Sequence, residues 1–359
     1  MVATYGPSLP GIETRFGVAD SVAGLIVTAQ FLGGCLGIAA FGLTHARWTV
    51  AQRFSVATPL FGLGIVAASA APVFPLLLLA VLVSGCGAGG IVVLINFSFA
   101  TNYGRRSPAM LGLVNAFYGA GSFVGPALVG VAAGYAPVLA GGGAIGLLCL
   151  VPLRRTPDGP APALEAQVAG GAARRLILAF AVLLFLYTGV ETGVATWEAT
   201  DLVGAGWSVQ GAAIATSAYW GAFTIARFLG SPLSLRVAPE RILVPLLLVA
   251  ILVLLAIRAH VIPPSGLIAV GLCAGPVFPV VVSWLARVVP NAPSAVTYAI
   301  LGAILGSAVL PAGLGGLIGI GGLDALPLGL VAYAAACFAM VVFIATWRPA
   351  PGGVSARPE

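Results

Sequence analysis

Apolar residues run through this chain in long blocks, and the charges fall between them. Residues 21–44 carry no charged side chain, nor do 54–104, 107–153, 202–226, 259–286, 288–323 and 325–347. A helix rises 1.5 Å per residue, so about 20 apolar residues cross a hydrocarbon layer ~30 Å thick. Two blocks, 54–104 and 107–153, are long enough for two crossings. Each carries a turn signal near its middle, Ala71-Pro72-Val73-Phe74-Pro75 and Gly134-Tyr135-Ala136-Pro137. The pattern predicts eleven spans, over about 21–44, 50–71, 75–100, 108–133, 137–153, 175–198, 208–230, 241–258, 264–286, 294–318 and 325–347. Residues 1–10 read as the outer end of a further helix whose beginning precedes Met1, with 11–20 as the loop after it.

The arginines orient the array. Arg47, Arg53, Arg105, Arg106, Arg154, Arg155, Arg174, Arg175, Arg227, Arg236, Arg241, Arg287, Arg348 and Arg357 fall at every second loop, leaving only Arg15 and Arg258 of the 16 basic residues on the other side. Short cytoplasmic loops are the ones enriched in basic residues, so the expectation is a multi-pass protein of the cell's inner (plasma) membrane with a cytoplasmic C-terminus.

The chain also repeats itself. At an offset of about 185–187 residues, Gly121-Ser122 and Pro126 match Gly306-Ser307 and Pro311. Gly85, Ala88 and Gly89 match Gly271, Ala274 and Gly275, and Gly24 and Gly34 match Gly211 and Gly221. The repeat predicts an N-terminal transmembrane half over 1–153, a Pro/Ala/Gly/Arg-rich cytoplasmic linker over 154–173, a C-terminal half over 174–348 and a tail over 349–359. It also gives the helix at 175–198 a counterpart at about −12 to 11, which makes twelve helices with the first incomplete. Two parallel six-helix halves resemble the transporter plan of the major facilitator superfamily.

Composition narrows the alternatives. Of 359 residues, 60% are apolar and 7% charged, too few to give a soluble core its polar shell. The net charge of +6 comes from scattered arginines with no basic stripe or aromatic platform, which argues against nucleic acid as a partner. The five cysteines sit far apart inside apolar runs, without metal-ligand spacing, and read as small buried hydrophobes. No Walker A loop and no nucleophile, acid/base or metal constellation is visible, so neither an ATP-driven pump nor an enzyme is expected, and no cofactor.

Specific motifs sharpen the resemblance. Tyr187-Thr-Gly189-Val-Glu191, followed by Trp197, resembles the seventh helix of fucose permease-like sugar:H+ symporters, and Ser217-Ala-Tyr219-Trp220-Gly221 leading to Arg227 resembles the eighth. Gly85-x-Gly87-x-Gly89 with Asn96, Asn115-Ala-Phe-Tyr118-Gly119, and Gly275-Pro276-Val-Phe-Pro279 resemble further pieces of that branch. Two positions depart from it. Gly42-Leu-Thr-His45-Ala46-Arg47 lacks the acid of the superfamily's Gly-x-x-x-Asp-Arg, and Ala226 replaces a glycine.

Glu191 stands out among the ten acidic residues, the others having places in loops or at helix ends. About 16 residues from Arg175, it falls in the outer half of its span, where a carboxylate costs at least ~2.5 kcal/mol unless paired, protonated or facing water. Substrate hydrogen bonding and carriage of the coupling proton are both open to it. Asn115, Tyr118, Gln30, Asn96 and Tyr219 are polar groups in apolar helices that line a cavity or bond between helices. Trp197 and Trp220 offer indole faces for a sugar ring, with an interfacial anchor as the other reading of Trp197. Nothing assigns a role to His45 or His260, at membrane edges.

The resemblance implies a monomeric secondary active transporter in the lipid bilayer, moving a small polar solute such as a sugar by alternating access, coupled to H+ or Na+. Two alternatives stand beside it. Gly119-x-Gly121-x-x-x-Gly125-Pro126 partly resembles the glycine-proline motif of drug/proton antiporters of the same fold, and a non-transporting membrane sensor is the other.

Overall fold

The structure is a computed structural model that describes residues 2–43, 47–103, 106–132, 134–156, 171–233, 236–289 and 294–347. His45, Ala46, Arg105, Arg348, Arg357, most of the 154–173 linker and the 349–359 tail lie outside the described residues. The described chain is helical: α1 (Val2–Phe16), α2 (Asp20–Ala23), α3 (Leu25–Leu43), α4 (Val50–Ser69), α5 (Phe74–Asn102), α6 (Ser107–Val131), α7 (Tyr135–Leu148) and α8 (Leu150–Leu153). Then come α9 (Gly171–Gly204), α10 (Val209–Leu233), α11 (Pro239–Arg258), α12 (Leu267–Ala274), α13 (Val277–Val288), α14 (Ser294–Gly321) and α15 (Ala325–Thr346). Three pairs run on as single spans, α2 with α3, α7 with α8, and α12 with α13, so the fifteen helices make twelve spans. Ten are long and apolar enough to cross a membrane; the other two are α1, 15 residues long, and α10.

Each predicted span is present, with three differences. The N-terminal helix continues to Phe16 through Pro7 and Pro10, so most of the expected loop at 11–20 is helical. The seventh span, α9, reaches Gly204, and Glu198 and Asp201, read from sequence as end-of-helix acids, lie inside it. Glu191 stays in the outer half of the 34-residue helix Gly171–Gly204, as its place in 175–198 predicted. The tenth span breaks at Gly275-Pro276 into α12 and α13.

The internal repeat is realised as repeated packing. A side chain on Gly85 would overlap the Gln30 carbonyl, and one on Gly271 would press on the Tyr219 carbonyl. One turn on, Gly89 meets the Gly34 carbonyl and Gly275 the Phe223 carbonyl. The second and fourth spans therefore touch as the eighth and tenth do, backbone to backbone, where any Cβ would force the helices apart.

Contacts between the first six spans and the last six fall at mid-bundle or toward the arginine-poor end. Thr28 Oγ1 donates to the Ala308 carbonyl at 2.7 Å. Gly315 and Gly319 face Ser21, Gly6 sits on the Ala195 carbonyl, Gly130 faces Gln210 and Ala213, and Gly119 faces Thr224. Toward the arginine-rich end, Leu36 on α3 and Leu301 on α14 are 52% and 41% exposed. Among the described residues, the bundle's two sets of six spans are thus joined at mid-bundle and at the arginine-poor end.

Candidate functional site

Proline chemistry in the tenth span prepares the site. The Gly275 carbonyl would accept from the amide of residue 279 in an unbroken helix, but that residue is Pro279 and has no N–H. Arg227 of α10 takes the acceptor instead, its Nε 3.4 Å from the Gly275 oxygen. The adjacent Ala274 carbonyl accepts from the Tyr187 hydroxyl at 3.1 Å. Tyr187 and Glu191 are four residues apart, hence on one face of α9, and the Tyr187 hydroxyl also lies within hydrogen-bonding reach of the Glu191 carboxylate. Tyr219 of α10 donates to the Glu191 backbone carbonyl at 2.9 Å.

An ion pair stands at the centre of this arrangement. Arg227 Nη2 is 4.0 Å from Glu191 Oε1, with the two side chains 26% and 12% exposed. The guanidinium carbon also lies 4.5 Å from the centre of the Phe223 ring, a position that favours a cation. Tyr118 on α6 is near enough to interact electrostatically with both charges, yet it is 51% exposed. A group that close to a mid-bundle ion pair can be exposed only to an internal cavity, so Tyr118 marks the wall of an opening between the two sets of six spans. The sequence counted Arg227 among the loop arginines. It lies instead inside α10, six residues before the helix ends at Leu233, and points inward.

The other sequence-derived residues are distributed as follows. Asn115 is exposed three residues before Tyr118, on the same face of α6 toward the arginine-rich end. Asn96 is exposed near that end of α5 and donates to the carbonyl of Val92 in its own helix at 2.8 Å. Gln30 is buried and accepts from the Tyr5 hydroxyl at 3.0 Å, which ties α3 to α1. Trp197 is fully buried against Gly24 and Gly315, and its Nε1 donates to the Pro311 carbonyl at 2.9 Å. With no face open in this conformation, it joins three spans. Trp220 is buried edge-on to Tyr219 and Phe223, its Nε1 without a protein partner. Glu191, Tyr118 and Tyr219 thus come together, Asn115 lies at the approach, and Gln30, Asn96 and Trp197 lie elsewhere.

Sequence reasoning missed Tyr187 and Arg227 as site residues. The signals were present: Tyr187 is one helical turn before Glu191, and the charge-free run 202–226 ends at Arg227 before α10 does.

The sequence model of the Major Facilitator Superfamily matches residues 1–270, three quarters of the chain. The chain belongs to that superfamily. No curated protein shows significant sequence similarity to it. Among solved structures of Major Facilitator Superfamily proteins, a D-xylose-proton symporter superposes with a TM-score of 0.78 at 15% identity, covering 98% of this chain and 95% of that one. A bacterial homologue of the human lysosomal transporter Spinster, inward-facing and occupied, gives 0.72 at 16% identity, covering 97% and 96%. The superfamily transporter FucP, in its outward conformation, gives 0.63 at 19% identity, covering 96% and 95%. These likenesses show that the chain shares their fold.

Proposed function

We propose that this protein is a secondary active transporter of a small polar organic solute, a sugar or a related polyol, coupled to H+ and working by alternating access. The observation that carries the reading is the Glu191–Arg227 pair, with the Tyr187 hydroxyl beside it and the exposed Tyr118 within electrostatic range of both charges. A polyol offers several hydroxyls that both donate and accept. A carboxylate, a guanidinium and phenols grouped around one site meet that pattern, and an apolar cavity does not. The solute bonds to one or both charges and competes with their mutual attraction, so its arrival loosens a contact between α9 and α10. Protonation of Glu191 loosens the same contact, which links the solute to the coupling ion. The likeness to a xylose-proton symporter and to FucP supports a sugar as cargo. In this reading the arginine-rich face is cytoplasmic, so the sealed end faces outward.

The test is uptake of a labelled sugar panel into liposomes containing the protein, under an imposed pH gradient. Gradient-driven uptake in the wild type, reduced at least tenfold by Glu191→Gln, is the expected result. If no sugar moves under H+ or Na+ gradients while lipophilic cations exchange for protons, the protein is a drug/proton antiporter of the same fold.

A further inference from the structure

A second acid on α9 is more deeply buried than Glu191. Glu198 is 0% exposed, and both carboxyl oxygens lie out of contact with water and without a hydrogen-bond partner. Thr216 of α10 is its nearest polar neighbour, within reach of the carboxyl, but the same hydroxyl also reaches the Ala212 carbonyl of its own helix at 3.2 Å. An unpartnered carboxylate in such a place costs several kcal/mol. The neutral acid avoids that cost, so the environment favours a bound proton.

The surroundings supply an entry route. Asp201, three residues further along the same face of α9, lines a pocket of about 330 Å³ at the arginine-poor end, walled by Arg258, His260, Asp324 and neighbouring apolar residues. Asp201 is 8% exposed, and its Oδ2 is buried without a partner. It acts electrostatically on Glu198. Glu191 lies seven residues before Glu198, two turns and ~10.5 Å along the axis. Tyr219 interacts electrostatically with both. Of the other charges at this end, Glu13 of α1 and Asp20 repel one another, Asp324 repels Asp201, and Arg15 donates to the Tyr135 hydroxyl and the Ala71 carbonyl. Across the top of this region α1, from the first six spans, packs on both α9 and α10. Gly6 of α1 sits on the Ala195 carbonyl, three residues before Glu198, so the seal between the two sets of spans runs alongside this part of α9.

We propose that Glu198 is a second proton-binding site of the transport cycle, loaded from the arginine-poor face through Asp201, and that sealing this face requires it to be protonated. A hydronium ion in the pocket gives its proton to the Asp201 carboxylate and remains as water. That O–H bond then breaks as one forms on Glu198, and Asp201 returns to its charged form. Closing α1 over a neutral Glu198 buries no charge, whereas closing it over a carboxylate does. The proposal extends the transporter reading, but its decisive measurements need no substrate.

Two readouts on the full-length protein test it. The first places spin labels at Val73 and Val261, exposed residues at the arginine-poor end in opposite sets of six spans, with the native cysteines replaced. In otherwise wild-type protein the labels should move apart as pH rises, whereas Glu198→Gln and Glu198→Met should keep them close at every pH. The second is infrared spectroscopy. The carbonyl stretch of a neutral, buried carboxylic acid should disappear in Glu198→Gln, and its exchange in D2O should slow at least tenfold in Asp201→Asn. Spin-label distances that follow pH in both Glu198 variants as in the wild type, or an unchanged carboxylic acid band, would overturn the proposal. Failure to transport any sugar would instead overturn the substrate reading and leave these two readouts to decide on Glu198.

Discussion

Glu191 and Arg227 make an incomplete ion pair: 4.0 Å apart, partly wetted, and each surrounded by other partners. That geometry suits exchange of partners better than a fixed lock, since a solute hydroxyl can replace one charge without leaving the other bare. The two charges should therefore be worth more together than singly. Arg227→Met leaves Glu191 opposite an apolar stub and should destabilise the protein by on the order of 2 kcal/mol, less than the ~3–5 kcal/mol of a fully buried pair because a quarter of the Arg227 side chain meets water. Adding Glu191→Gln to Arg227→Met should recover much of that stability while uptake stays abolished. Thermal unfolding in detergent compares the two variants, and equal melting temperatures would mean that the pair carries no structural coupling. Glu198 shows the opposite residue-scale logic, a carboxyl with no partner to exchange.

At the scale of helices, most of the fold was legible from sequence because the bilayer imposes a length on every apolar run and the arginines punctuate the runs. What sequence could not show was where a polar residue points. Trp197 and Gln30 looked like cavity residues because their helices are apolar, yet both are consumed in bonds between spans, to Pro311 and Tyr5. Arg227 looked like a loop residue because it closes a charge-free block, yet α10 runs on beyond it. Glu198 was assigned to a helix end because hydrocarbon thickness sets an average length, and α9 exceeds it. The glycine spacing was the more reliable guide, since it records backbone contact. Gly275 therefore carries a double role, admitting α10 to the tenth span and offering its carbonyl to Arg227. Gly275→Val should separate α10 from α12, lower the melting temperature by several degrees and remove uptake. Gly141→Val on α7, where nothing lies within 4 Å of the added carbon, should change neither, and a similar loss in both variants would refute the packing argument.

At the scale of the whole molecule, the seal at one end is a statement about a cycle. If the two sets of six spans rock about the central site, the contacts that close one end must open as those at the other form. Two cysteine pairs on α3 and α14, antiparallel neighbours, can report this. The Thr28 side chain touches the Ala308 backbone in this conformation, so Thr28→Cys with Ala308→Cys should form a disulfide. Leu36 and Leu301 lie about two turns nearer the arginine-rich end and are exposed there, so the corresponding cysteine pair should stay unlinked in the same protein. Locking the first pair should stop uptake at least tenfold, with recovery on reduction, because the arginine-poor end can no longer open. In membranes where a solute gradient cycles the protein, the second pair should become linked, and its linkage should hold the molecule open at the opposite end. Rapid linkage of both pairs in the resting protein would mean that the two ends close together, which a rocking bundle cannot do, and the alternating-access reading would fall with it.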